Sequence, residues 1–330
     1  MKRVMIGIGL VPLIVAGVSL ISGRAQDGSA APPTVNWAAG NPLKIALLKW
    51  YRANTTTRFT VGQQPYGVAF DGANIWTANF GDVPGTVTKL RASDGEVLGT
   101  FNVGAEPYGV TFDGANVWVS NQQDGTVTKL RASDGKGLGT FRVGPVPGWM
   151  AFDGAHVWVT TAPSQGNGSV SKLRASDGKI LGTFTVGQGP TAVAFDGANV
   201  WVTNGVNTVS KLRAQDGKLL GTFTVGSQPL GIAFDGANMW ITNRGGSSVS
   251  KLRASDGKVL GTFTVPLGPY GIAFDGAHIW VATSLAVTEL NAADGTTLGY
   301  VNTQTPTIGV AFDGANIWVS EFGLNVVHKL

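Results

Sequence analysis

From residue 57 to the last position the chain is a succession of short apolar runs separated by glycine-containing bends. In the first stretch the runs cover 66–70, 74–79, 86–92 and 97–103, with Asp71-Gly72 and Asp94-Gly95 at two of the bends. Gly accepts the positive φ that a tight turn requires, and Asp caps its own turn. The spacing predicts four short antiparallel strands, a to d. Along strand b, Ile75 and Thr77 face one way and Trp76 and Ala78 the other. Both sets are semi-apolar, so both faces of the sheet are expected to be covered.

The pattern recurs. Phe-Asp-Gly-Ala-(Asn or His)-apolar-Trp begins at Phe70, Phe112, Phe152, Phe195, Phe234, Phe274 and Phe312, with spacings of 42, 40, 43, 39, 40 and 38 residues. Lys-Leu-Arg-Ala-Ser-Asp-Gly begins at Lys89, Lys129, Lys172 and Lys251, with near-copies at Lys211 and Glu289. A sheet covered on both faces, with one Trp per unit of about 40 residues, is the signature of a propeller blade. The seventh unit ends at Leu330, just after its strand c, and Thr57-Arg58-Phe59-Thr60-Val61-Gly62 supplies an unmatched strand d. The expected fold is therefore all-β: a seven-bladed β-propeller over 57–330, closed by the N-terminal strand. Closure removes the sheet edges that would otherwise pair with other chains.

The unit resembles the YVTN-type repeat of 40-residue β-propellers. Trp-Val-Thr-Asn at Trp201 to Asn204, Trp-Ile-Thr-Asn at Trp240 to Asn243, and Pro-Tyr-Gly-Val-Ala-Phe-Asp-Gly from Pro65 carry the likeness. It is specific for fold and says little about activity, because propellers host unrelated functions. The repeats are more distantly similar to the virginiamycin B lyase family. That likeness implies a metal-assisted ring-opening elimination carried by His and Glu. Ala-Ser-Asp-Gly-Lys also resembles the docking motif of quinone-dependent propeller dehydrogenases, but it is shorter and lacks the docking Trp.

The preceding segment reads differently. Lys2 and Arg3 precede an apolar run over 4–21, and Gly23-Arg24-Ala25 offers small residues for cleavage before Gln26. This predicts a signal peptide over 1–25 and an extracytoplasmic chain, secreted or periplasmic; an uncleaved anchor is the alternative. Residues 26–56 read as a linker with a short amphipathic helix at 41–52, opened by Asn41-Pro42. It is expected to pack on the ring, with a membrane-surface role as the alternative.

Composition narrows the chemistry. The chain has 48 Gly, no Cys and only 13% charged residues among its 330. Thiolate zinc sites, disulfides and a cysteine nucleophile are excluded. Without 1–25 the balance is 21 basic to 20 acidic residues, so no basic footprint for nucleic acid exists. Nor does the ring offer one for an anionic membrane.

Seven copies allow an internal comparison. The a–b and c–d turns scarcely change, whereas the d–a and b–c connections vary, and in up-down blades these share one face. That face, the mouth of the central channel, is where a ligand site is expected. Tyr66, Tyr108, Trp149 and Tyr270 are the candidate aromatic lining, with Asn79, Asn121, Asn204 and Asn243 as amides. The repeated Trp residues are expected to pack between blades. Thirteen of the 20 carboxylates sit in the Asp-Gly turns and do not converge as a calcium site would. His156 and His278 replace a turn Asn. Only His328 with Glu321 forms a possible acid–base couple. The expectation is a monomeric, non-catalytic binding propeller without a cofactor, taking a small molecule, glycan or protein. A lyase using Mg²⁺ with Glu321 and His328, and a surface-layer structural role, are the alternatives.

Overall fold

The computed structural model describes residues 57–330. The signal peptide, linker and helix expected within 1–56 lie outside the described residues. Seven four-stranded antiparallel sheets follow one another along the chain. In the first blade the strands are Pro65–Phe70, Asn74–Asn79, Thr86–Arg91 and Val97–Asn102, within a residue of the boundaries expected at each end. The last blade contains Thr307–Phe312, Ile317–Glu321 and Val326–Lys329, and Arg58–Thr60 adds its outer strand. Arg58 pairs with His328, Phe59 with Val327 and Thr60 with Val326, so the ring closes as the sequence requires.

The core lies between blades. Trp76, Ala78 and Val87 of the first blade pack with Val110, Val117, Val119 and Leu130 of the second. The seam is built in the same way, with Trp318 and Val327 against Val68, Ile75 and Leu90. Each repeated Trp is held by the turn preceding it. Asp71 accepts the backbone N–H groups of Ala73 and Asn74 on one oxygen and the Trp76 indole N–H, at 2.8 Å, on the other. His156 takes the place of Asn74, with Nδ1 3.1 Å from Asp153.

The lysine of the second repeated phrase has a role that its turn-like sequence did not suggest. Lys89 is buried, donates to the Ala132 and Ser133 carbonyls of the next blade, and sits 5.2 Å above the Trp76 ring. Five further lysines repeat this arrangement, ending with Lys329 over Trp318. A Phe of the same blade completes the sandwich, as Phe101 does 5.5 Å from Trp76. The sixth blade departs from it. Glu289 pairs across from Trp280 where the other blades have Lys, Val301 stands in the Phe position, and Trp280 is partly exposed. In the last blade strand d is Arg58–Thr60 and does not continue from Val326–Lys329, so no c–d turn of the repeated kind joins the two.

Candidate functional site

The variable connections do share one face. Gly81 and Phe80 of the first b–c loop donate to Gln63 and Gln64 of the adjoining d–a segment, and the same link recurs between Arg244 and Gln228. Tyr66, Tyr108 and Tyr270 occupy the second position of strand a or its lead-in. Gly148 takes that position in the third blade, and Trp149 follows it.

These aromatics meet at the channel. Tyr66 and Tyr108 have ring centroids 4.4 Å apart, Tyr108 and Trp149 are at 5.5 Å, and Phe80 and Phe322 add edges to Tyr66 at 5.3 and 5.8 Å. Arg244 stacks on Tyr270 at 4.8 Å. Tyr66, Tyr108 and Trp149 are half-buried and pack on one another as a plug, and no ring contact among the described residues joins Tyr270 to them. Below the plug the channel holds an apolar cavity of about 130 Å³, lined by Val68, Val110, Val193, Ile232, Val310 and Trp149 among others. Organic ligands occupy pockets of about 300–1,000 Å³. The channel cavity is smaller than that range.

Burial raises the Tyr108 hydroxyl well above the usual phenol range, and Tyr66 beside it acts in the same direction. Burial also raises Tyr66, aided by Tyr270 and opposed by Tyr108 and Arg244. Both phenols stay protonated throughout the neutral range. The site is thus a set of aromatic faces and hydrogen-bond donors.

The four asparagines do not belong to it. Asn79, Asn121, Asn204 and Asn243 are fully or almost fully buried at the end of strand b. The Asn121 amide donates to Thr126 and Thr128 and accepts the Gly104 N–H at 3.1 Å. Asn204 repeats this with Thr208, Ser210 and Gly187. All four amides donate to hydroxyls of strand c, and Asn121 and Asn204 also tie in the incoming d–a connection, so the expectation that they present amides to the mouth is corrected. Their presence in four of seven blades was the available signal.

The His–Glu couple exists, but inside the last sheet. Glu321 Oε1 lies 2.8 Å from His328 Nδ1 and 2.8 Å from Arg58 Nε. Glu321 is fully buried and His328 nearly so. The register shows what has happened: Glu321, His328 and Arg58 occupy the positions of Asn79, Thr88 and Thr100. Burial alone would raise the Glu321 carboxyl, but hydrogen bonding to His328 and Arg58 outweighs it and holds the group below the usual range. A substrate has no access to this pair, so the acid–base role expected of it is corrected to a structural one. The residues also do not fit a divalent cation, because the Arg58 guanidinium already holds the carboxylate. Among the described residues no group of three or more His, Cys, Asp or Glu could hold a metal ion.

Comparison with known proteins agrees with the ring. A family model described as outer membrane protein assembly factor BamB matches residues 166–325. None of the curated proteins matches the chain. A streptogramin B lyase structure superposes with a TM-score of 0.70 at 19% identity, covering 82% of this chain and 95% of that one. The hydrazine synthase of Kuenenia stuttgartiensis superposes equally well, at 0.70 and 17% identity, over 82% and 96%. Two structures titled for such different chemistry share the ring, so the likeness concerns architecture. The chain is a seven-bladed β-propeller with repeats similar to those of the BamB model, and the more specific YVTN-type resemblance is not what the family comparison returned.

Proposed function

We propose that this propeller is an extracytoplasmic binding protein that takes a small organic ligand, or the tip of a glycan or protein, on the aromatic plug at its mouth. One observation carries the reading: Tyr66, Tyr108 and Trp149, contributed by three consecutive blades, form a continuous, partly buried aromatic cluster where the loops vary. Aromatic faces supply contact area at low entropic cost, and the Tyr and Trp polar tips supply direction. The leader-like sequence of 1–25 and the likeness to a family model described as an outer membrane assembly factor support the location.

A ligand-dependent thermal-shift screen of residues 26–330, with and without Mg²⁺, tests the reading. A stabilising ligand should lose affinity in Tyr108→Ala and Trp149→Ala, and its affinity should be nearly flat over about pH 5.5–8, because neither phenol titrates there. The structural likeness to a streptogramin B lyase favours one other reading, an elimination on cyclic depsipeptides. Burial of the Glu321–His328 pair under Arg58 argues against it. Metal-dependent ring opening abolished by His328→Ala would replace the binding reading with the lyase.

A further inference from the structure

Among the described residues Arg244 is the basic group of the mouth that is seated on an aromatic ring. It is the single Lys or Arg in the d–a and b–c connections of residues 57–330, and it is exposed. The ion pairs among the described residues join Arg58 to Glu321, the arginines of the c–d turns to nearby acids, and the three histidines to carboxylates; Arg244 belongs to none. Two of the mouth acids are committed elsewhere. Asp82 accepts the Gln63 N–H and the Thr86 hydroxyl, and Asp124 accepts the Ala105 N–H. These are caps on loops of the first two blades, whereas Arg244 belongs to the fifth.

Its base is fixed. The backbone enters a 3-10 turn, Arg244–Gly246, and is pinned by N–H groups of Arg244 and Gly245 donating to Gln228 and Ser227. The side chain crosses to the next blade and lies flat on Tyr270, whose carbonyl is held in turn by Thr242. The Arg244 charge opposes the burial that raises the Tyr66 hydroxyl. A guanidinium stacked through its face leaves its N–H edge free, and that edge fits a carboxylate bidentately. Tyr66, in the neighbouring aromatic cluster, adds a neutral hydroxyl, since its phenol stays protonated at neutral pH.

We infer that Arg244, seated on Tyr270, is an anion-reading subsite, and that the ligand of the mouth is a planar or aromatic organic carboxylate. The carboxylate meets the guanidinium edge, while the apolar body lies over Tyr66, Tyr108 and Trp149. This rests on the binding reading given above and narrows it to a ligand class.

The test compares 2-naphthoate with its neutral isostere 2-naphthamide by equilibrium dialysis against the full chain at pH 7, in low salt. The expected result is that naphthoate binds more tightly and that Arg244→Gln weakens it by about ten- to a hundredfold, the loss of a charge-assisted hydrogen bond. Naphthamide should change by less than about twofold, and Arg244→Lys should fall between, having charge without the fork. Arg244 is exposed, so thermal melting of its variants should match the parent. If both probes bind alike and Arg244→Gln changes neither, the anion inference is overturned while the mouth reading stands. If binding of either probe survives Tyr108→Ala combined with Trp149→Ala, the mouth reading falls with it, and absence of binding by both probes overturns the carboxylate class.

Discussion

Trp201 and Trp280 occupy the same position in different blades, and the structure assigns them different weights. The Trp201 indole is fully buried, donates to Asp196 at 2.8 Å, stacks near Phe223 at 5.4 Å, and carries Lys211 at 5.0 Å. Truncating a buried aromatic of this kind costs about 3–5 kcal/mol. Trp280 keeps the equivalent bond to Asp275, at 2.7 Å, but has Glu289 and Val301 where the others have Lys and Phe. A desolvated cation–π contact is worth up to about 2 kcal/mol and an aromatic pair about 0.5–1.5 kcal/mol. Trp280→Ala should therefore cost about 2 kcal/mol less than Trp201→Ala. At roughly 2–4 °C per kcal/mol, Trp201→Ala lowers Tm by roughly 6–20 °C and Trp280→Ala by roughly half of that or less. Thermal denaturation followed by circular dichroism at pH 7 reads the difference directly, with Trp118→Ala as a second ordinary blade. Equal losses at Trp201 and Trp280 would show that the Lys–Trp–Phe sandwich contributes nothing, and the account of the blade interfaces would be wrong.

Glu321→Gln should destabilise the ring by about 1–3 kcal/mol at pH 7, the range for a charge-assisted bond. The carboxyl titrates lower in the folded chain than its ordinary 4.5, so its contribution is present above that pH and lost as pH falls through the folded value. The gap between parent and variant should narrow as pH falls below 4.5 and close below the folded value, and a gap that stays unchanged on acidification would sink the assignment. Deleting residues 1–62 removes Arg58–Thr60 and leaves the strand Val326–Lys329 as an open edge. That fragment should aggregate, and a monomeric, cooperatively melting 63–330 would contradict closure. Asn121→Ala should lower Tm by stranding the Gly104 N–H, at a cost of about 1–3 kcal/mol, and leave ligand affinity at the mouth unchanged. Loss of ligand binding at unchanged Tm would return Asn121 to the site.

Local sequence determined the blade. Asp-Gly bends every few residues and alternating apolar positions place strands a to d almost to the residue, because turn geometry and sheet periodicity are short-range properties. Seven copies and one displaced strand d determined the ring. Tertiary structure decided what depends on contact between blades. The sequence offers Asn79, Asn121, Asn204 and Asn243 at the loop ends, yet each turns inward, where its buried amide pairs with Thr or Ser hydroxyls of strand c. Glu321 and His328 read as an acid–base couple until the register brought Arg58 to them from 263 residues away in sequence. Glu289 looked like one more near-copy, but it marks the place where a lysine would find no turn carbonyls in the neighbouring blade. Arg244 passed unnoticed in a glycine-rich loop, because nothing along the chain connects it with Tyr270 or Tyr66. Only the closed ring, by stacking blade against blade, sets one exposed guanidinium on an aromatic face at the mouth.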